Sequence, residues 1–594
     1  MTTVNIVVDR SLQSLSWTQS RDRLRQSIVD EIGSLQASIR ALKSRRNELA
    51  PVSHLPFELL AAIFSFVSIF AWNERSGPLA LICIAHVCRR WRETALNHPC
   101  FWSRINLTKL TPVGMVEILS RAKMGPLHLE AADPHKWTTG HFEVLERQLE
   151  THIFHTRRLT FSGRRLPAFI NRLVSPTSIL EYLSLSHTPS QLAHVIIPDN
   201  LFNCTAPSLT TLKLVRCDIG WKSSLLKGLR ILEIFDPSTN ARPELDDWLD
   251  ALNEMPQLKE LSLRSATPVA MLVDPPISRT VILPSLTYFY IASSAKDCTL
   301  ALAHLVLPTL TRLRVEVESH DWDGEDVLQV IPYVIRNVIC VLQDIEPIRS
   351  ILIAGERRCA EVLTWTAPGT GPKVRVPNTV DDMSSSTCFL FAANCHHWDY
   401  GVDIAVFDAL LPHLPMNSVS TLTAQNCTRL SKEFWLSHAP RWPLLEQARL
   451  VSRAVGGFCE MLSEDLPLDS DGPRLPMLTT LVLLGVRLSA MRTFYLRDIL
   501  IERVEQGVPL EHLGLRTCEA ANRAIQLLAE IVVDVQEPLD ASTMAIKKSY
   551  SWIRGIGSGD IVEFDIGQGP WHGDTDDSEG EDEGYSEDED GDVC

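Results

Sequence analysis

The sequence predicts an α/β protein in three parts: helices over the first hundred residues, a long array of short parallel strands curved into one sheet, and an acidic tail. Three observations carry this. Apolar residues recur at helical spacing between Arg21 and Trp102, a six-residue leucine pattern recurs eight times between Leu180 and Leu515, and the last 23 residues hold twelve acids and no Lys or Arg. At 594 residues the chain is too long for one compact domain, but an array that grows in one dimension escapes that limit. The expected boundaries are a disordered stretch at 1–20, a heptad-like helix at 21–50, a helical domain at 51–104, the array at 105–537 with an insertion near 368–386, and a linker and disordered tail at 538–594.

From Arg21 to Leu49 the residues Ile28, Ile32, Leu35, Ile39, Leu42 and Leu49 alternate spacings of four and three, with Arg46 where an apolar residue is due. Those are the seam positions of a coiled coil. Two expectations follow from residues 21–49: self-association, or a helix docked beside the domain that comes next. Pro51 ends the helix at the hinge Ala50–His54.

The helical domain opens Leu55-Pro56-Phe57-Glu58-Leu59-Leu60, with Pro56 where a helix accepts its first residue. Leu59, Ile63, Phe66, Val67 and Phe70 recur at helical spacing, and Leu60 and Phe64 fill the neighbouring stripe. The helix is therefore apolar nearly all round, which a surface helix is not. Residues 73–78 break it. Leu79–Val87 forms a second apolar segment, and Cys88–Arg92 opens a third, half-polar helix with Arg89, Arg90 and Arg92 on its solvated face. Fifty residues bury little surface, so part of the first helix awaits another partner. A helical hairpin capping a larger domain is the plainer alternative. The 14-residue run Leu59–Trp72 is short of the roughly twenty that span a bilayer.

The order Leu-Pro, Glu-Leu, Ile-Phe, then Val87-Cys88-Arg89-Arg90-Trp91, then Trp102, resembles the F-box. That family comprises substrate receptors of SCF ubiquitin ligases. The resemblance implies that Leu55, Pro56, Leu59, Leu60, Ile63, Phe64, Val87 and Trp91 meet the S-phase-kinase-associated adaptor and, through it, a cullin complex.

The array is read from Leu209-x-x-Leu212-x-Leu214-x-x-Cys217-x-Ile219, which fits the leucine-rich-repeat signature with Ile for the final Leu. The same core recurs from Leu180, Leu229, Leu258, Leu286, Leu310, Leu478 and Leu510, and the steps from Leu180 to Leu310 are 29, 20, 29, 28 and 24 residues. Prolines at 207, 256, 284, 308 and 476 stand two residues before the first Leu, where a strand tolerates them. One such unit cannot bury its own apolar side, so units must stack. A mixed α/β domain with several similar strands is the alternative. Between Glu316 and Pro443 the period weakens. There Asp326–Val341 reads as an amphipathic helix, Ser350–Ala354 and Thr387–Ala393 as buried strands, and Val419–Cys427 and Leu445–Leu450 as degenerate units. A helix over Arg523–Asp534 is expected to close the array.

Intervening residues of the strands are expected on the concave face, among them Thr211, Lys213, Val215, Glu260, Ser262, Arg264, Arg312, Arg314 and Glu316. Their mixture of charges suits a protein partner, with Lys213, Arg264 and Arg314 as the candidate substrate contacts. Reversing those three charges is expected to leave the fold intact.

Outside the tail, 61 acids face 56 bases, so the folded part has no basic excess to suggest nucleic acid. Fourteen cysteines lie scattered without a disulfide framework, and Met1–Arg10 lacks a secretory n-region, so reduced thiols and a cytoplasmic or nuclear site are expected. Cys388, Cys395, His396 and His397 have poor zinc spacing and are read as a strand with a polar end. Gly555–Gly559 lacks the Lys and Ser/Thr of a phosphate loop. Ser578 and Ser586 each precede an acid by three residues, a weak resemblance to acid-directed kinase sites. No catalytic motif, cofactor or metal is expected. The whole is similar to F-box/leucine-rich-repeat proteins of mushroom-forming fungi, which implies a non-catalytic substrate receptor. An interaction scaffold without a ligase role and an acidic-tailed chaperone for basic proteins are the alternatives.

Overall fold

The computed structural model describes residues 17–536 apart from 74–77, 133–136, 189–192, 271–278, 320–324, 344–346, 357–358, 367–386, 396–401, 426, 428–429, 464–472, 517 and 521. The expected insertion, the glycine-rich stretch at 555–559, the tail serines, and His396 and His397 lie outside the described residues. The chain divides into two compact units, Met1–Leu212 and Lys213–Cys594.

The first unit begins with a 32-residue helix, α1 (Trp17–Glu48). Its seam residues Ile28, Ile32, Leu35, Ile39 and Leu42 are all exposed, and none of its described side chains is buried. The helix thus packs its apolar stripe on no other part of its unit among the described residues. A short 3-10 turn at Pro51–His54 leads into α2 (Phe57–Asn73), α3 (Pro78–Ala85) and α4 (Arg89–Asn97). Pro56 lies just before α2, its carbonyl accepting the first helical bond from Leu60 at 3.1 Å, one position earlier than expected.

Strands then alternate with helices: β1 (Arg104–Asn106), α5 (Pro112–Ala122), β2 (Leu127–Ala132), α6 (Thr139–His152), β3 (Thr156–Gly163) and β4 (Tyr182–His187). All four strands are parallel neighbours in chain order. Ile105, Leu129, Leu159 and Leu183 share one row and are all buried, so the stacking starts well before Leu180.

β5 (Thr211–Val215) spans the boundary between the units. In the second unit β6 (Ile231–Phe235), β7 (Glu260–Arg264), β8 (Tyr288–Ser293) and β9 (Arg312–Ser319) form a parallel ladder. Leu232, Leu261, Phe289 and Leu313 align in one row; Ile234, Leu263, Ile291 and Val315 align in the next. The first, fourth and sixth positions of all eight recurring units, 24 in number, are apolar and buried. That is the physical content of the pattern: each strand covers its neighbour's apolar row and is covered in turn.

The weak stretch has a definite cause. After a helix at Glu325–Gln343 come β10 (Ser350–Glu356), β11 (Cys359–Trp365) and β12 (Thr387–Cys395). β12 pairs with β9, β11 pairs antiparallel with both β10 and β12, and β10 passes the ladder on. One antiparallel strand therefore interrupts an otherwise parallel sheet. Both faces are apolar here: Ile351 and Ile353 fill one, while Leu352, Leu363, Trp365 and Leu390 cluster on the other. Such strands read as continuous apolar runs, and the alternation that marks a repeat vanishes.

The ladder continues in parallel through β13 (Thr421–Gln425), β14 (Gln447–Val451), β15 (Thr480–Leu484), β16 (His512–Arg516) and β17 (Asp534–Gln536). The closing helix is shorter than expected, Asn522–Ala529, because the chain turns into β17. Among the described residues no helix is long and apolar enough to cross a membrane, and no group of three or more His, Cys, Asp or Glu is placed to hold a metal. Cys388 is buried, and its thiol lies 3.1 Å from the Thr364 hydroxyl.

Candidate adaptor-docking site

α2 has two apolar faces with different fates. Leu60, Phe64 and Ser68 recur every four residues and are buried. Phe64 packs against Trp91 and Phe101, with ring centroids 5.2 and 5.6 Å away, and Phe101 meets Trp102 edge-on at 5.0 Å. Leu60 and Phe64, expected at the docking surface, are therefore the interior of the box. On the opposite face Leu59, Ile63 and Phe66 stand at i, i+4 and i+7, with Leu59 54% and Ile63 43% exposed. Pro56 and Val87 are also exposed; Leu55 and Trp91 are half-buried. Phe57, Phe66 and Ile69 extend the exposed apolar surface beyond the expected residues. In a helix apolar all round, spacing gives the two stripes but not which one faces the core.

Polar contacts fix how the helices meet. Arg90, expected to be solvated, donates from both terminal nitrogens to the Ser53 and Leu55 carbonyls of the hinge. Its guanidinium also lies 4.9 Å from the Phe57 ring centroid. Arg92 Nε donates to the Ala85 carbonyl at the end of α3, at 3.0 Å. Trp102 Nε1 donates to the Ala95 carbonyl at 2.7 Å, and Ser65 Oγ pairs with His98 Nε2 at 3.0 Å. The arginines thus act as clamps on carbonyls of the hinge and of the end of α3.

The candidate substrate cations in the second unit are not open charges. Lys213 Nζ lies 2.8 Å from Glu233, and Arg264 grips Asp236 through two bonds of 2.8 and 2.6 Å. Arg314 is buried, donates from Nε to Glu316 at 2.8 Å, and lies 4.9 Å from the Tyr290 ring. Tyr288 and Tyr290 on the neighbouring strand are buried, as is Ser262 on the strand beyond, and burial pushes both tyrosines well above their usual titration range. The intervening face of β7–β9 is consequently half-filled by its own aromatic rings. Reversing Arg314 would set two carboxylates together in that setting, so the expectation of an intact fold does not hold for it.

No curated protein matches this chain. Residues 52–108, the hinge, α2–α4 and the entry into β1, match the model of the F-box-like family.

Proposed function

We propose that this chain is a substrate-receptor subunit of an SCF-type, cullin-based ubiquitin ligase. Its box docks the S-phase-kinase-associated adaptor, and its strand array, read as leucine-rich repeats, holds a protein substrate. The chain supplies placement, and the ubiquitin chemistry belongs to other subunits. The observation that carries the reading is the exposed row Leu59, Ile63 and Phe66 on a helix whose other face is buried through Leu60, Phe64 and Ser68. F-box domains generally bind such adaptors, and residues 52–108 have that family's pattern.

The stacked rows of the array support the second half of the reading, since repeat arrays offer long binding surfaces. Mixing the purified chain with purified adaptor tests the first half. A stable complex in size-exclusion chromatography is expected from wild type and none from Ile63→Asp. A wild-type chain that elutes apart from the adaptor would leave an interaction scaffold without a ligase role.

A further inference from the structure

The first unit carries a row of side chains that nothing above uses. Arg104 on β1, His128 on β2, Arg158 on β3 and Tyr182 on β4 lie in register, each beside the next across the parallel ladder. The buried positions Ile105, Leu129, Leu159 and Leu183 alternate with them, so the row is on the sheet's open face. A register shift between Leu127 and His128 makes Arg157 an extra residue, which leaves two consecutive arginines exposed. Arg157 is neutralised by Glu181 at 2.7 Å. Arg104 and Arg158 have no ion pair among the described residues. Glu130 lies one row further along the same face.

Like charges gathered this way repel. Partial burial and the nearby Arg158 and Arg157 hold the Arg104 guanidinium below its ordinary range. Burial and then Arg104 and Arg158 push His128 down to about 4. Arg158 is also oriented in advance, its guanidinium 3.9 Å from the Tyr182 ring centroid. A guanidinium stacked flat on a ring keeps its N–H edges free for a two-pronged bond to a carboxylate.

We propose that the row Arg104, His128, Arg158 and Tyr182 docks an acidic segment of a protein partner, with Arg104 and Arg158 each taking one carboxylate. Arg158 sits over Tyr182 on β4, three strand spacings of ~4.8 Å from β1, and carboxylates four residues apart on an extended peptide, ~13 Å, match that span of about 14 Å. The flanking Glu130 and Glu181 oppose a polyanion such as single-stranded nucleic acid, whose charge repeats beyond the two cations. The site rests on the reading of the array as the surface that holds a protein substrate, is separate from the exposed face of α2 and does not depend on the adaptor.

Fluorescence anisotropy on the full chain tests this with a fluorescein-labelled serine peptide holding two glutamates four residues apart (the Glu-Ser peptide), its glutamine counterpart (the Gln-Ser peptide), and a labelled oligothymidine, in roughly 50 mM NaCl. The Glu-Ser peptide is expected to bind, the Gln-Ser peptide not. The double variant Arg104→Gln with Arg158→Gln is expected to weaken binding at least about tenfold. Its melting temperature is expected to stay level or rise, because the change removes repulsion. Arg158→Lys, which retains charge but not the fork, is expected to fall between. Failure of wild type to bind the Glu-Ser peptide would overturn the proposal, as would equal binding by the double variant. Tighter binding of oligothymidine than of peptide, or a melting temperature several degrees lower in the double variant, would overturn it equally.

Discussion

Leu59 and Leu60 are neighbours in sequence with the same side chain, and the structure gives them opposite tasks. Leu60 is fully buried, whereas Leu59 is 54% exposed. Truncating Leu60 to alanine removes buried methyl groups from beside Phe64 and leaves a cavity, which costs ~2–5 kcal/mol of folding stability. Truncating Leu59 removes atoms that mostly face water, and the folding cost is within about 0.5 kcal/mol. Fully burying a leucine side chain stabilises by ~1.5–3 kcal/mol, so the half still exposed offers an adaptor about 1–1.5 kcal/mol. Leu59→Ala is therefore expected to weaken adaptor binding by about five- to tenfold with unchanged melting. Leu60→Ala is expected to lower the melting temperature, and to lose adaptor only as far as the box unfolds. Calorimetric titration with purified adaptor, paired with thermal unfolding, separates the two. A Leu59→Ala chain that binds as tightly as wild type, or melts as low as Leu60→Ala, would refute the assignment of the two faces.

Further expectations concern the polar contacts. Arg90→Met strips both hinge carbonyls of their charged donor and is expected to cost ~2–3 kcal/mol, seen as faster hydrogen exchange over residues 51–57; unchanged exchange would show that water replaces the clamp. Arg314→Glu is expected to destabilise the second unit by ~3–5 kcal/mol, measured by denaturant unfolding, whereas Arg264→Gln, at a pair one-third exposed to solvent, costs about 1 kcal/mol. His128 titrates lower in the folded than in the unfolded chain, so its contribution is complete above about pH 6.5 and is lost as the pH falls towards about 4. With screening at this half-exposed position, His128→Gln is expected to gain about 1–2 kcal/mol on wild type over that interval. A stability difference between the two that stays constant with pH would contradict this.

The leucine pattern was legible because identical positions recur in many units and each is buried by the next. Leu180, Leu183 and Leu185 illustrate it, and so do Leu510, Leu513 and Leu515 at the other end. The strands before Leu180 escaped the pattern because Pro126 and Thr156 stand where a unit's first leucine is due, and Ala131 where its last is. β11 was illegible for a different reason. Its direction is set by β10 and β12, and an apolar run does not reveal whether a strand is parallel or antiparallel. The box showed which residues are apolar, but the inward side of α2 is chosen by Trp91 and Phe101, more than twenty residues away. Arg90 looked like surface charge because nothing in its neighbourhood of sequence points to carbonyls at Ser53 and Leu55. The ion pairs of Lys213, Arg264 and Arg314 likewise join different strands or turns, or depend on which face of a strand is crowded.

The open face of α2 is proposed to dock an adaptor that links the chain to a ubiquitin ligase. Affinity purification of the tagged chain from its native cells, read by mass spectrometry beside Ile63→Asp, tests it most directly. Ile63 is 43% exposed, so the substitution leaves folding near wild type, while an unpaired carboxylate in an apolar interface costs several kcal/mol. An S-phase-kinase-associated adaptor and a cullin are expected with wild type, and neither with Ile63→Asp at equal expression. Recovery of neither from wild type, or of both in equal amount from the variant, would contradict it.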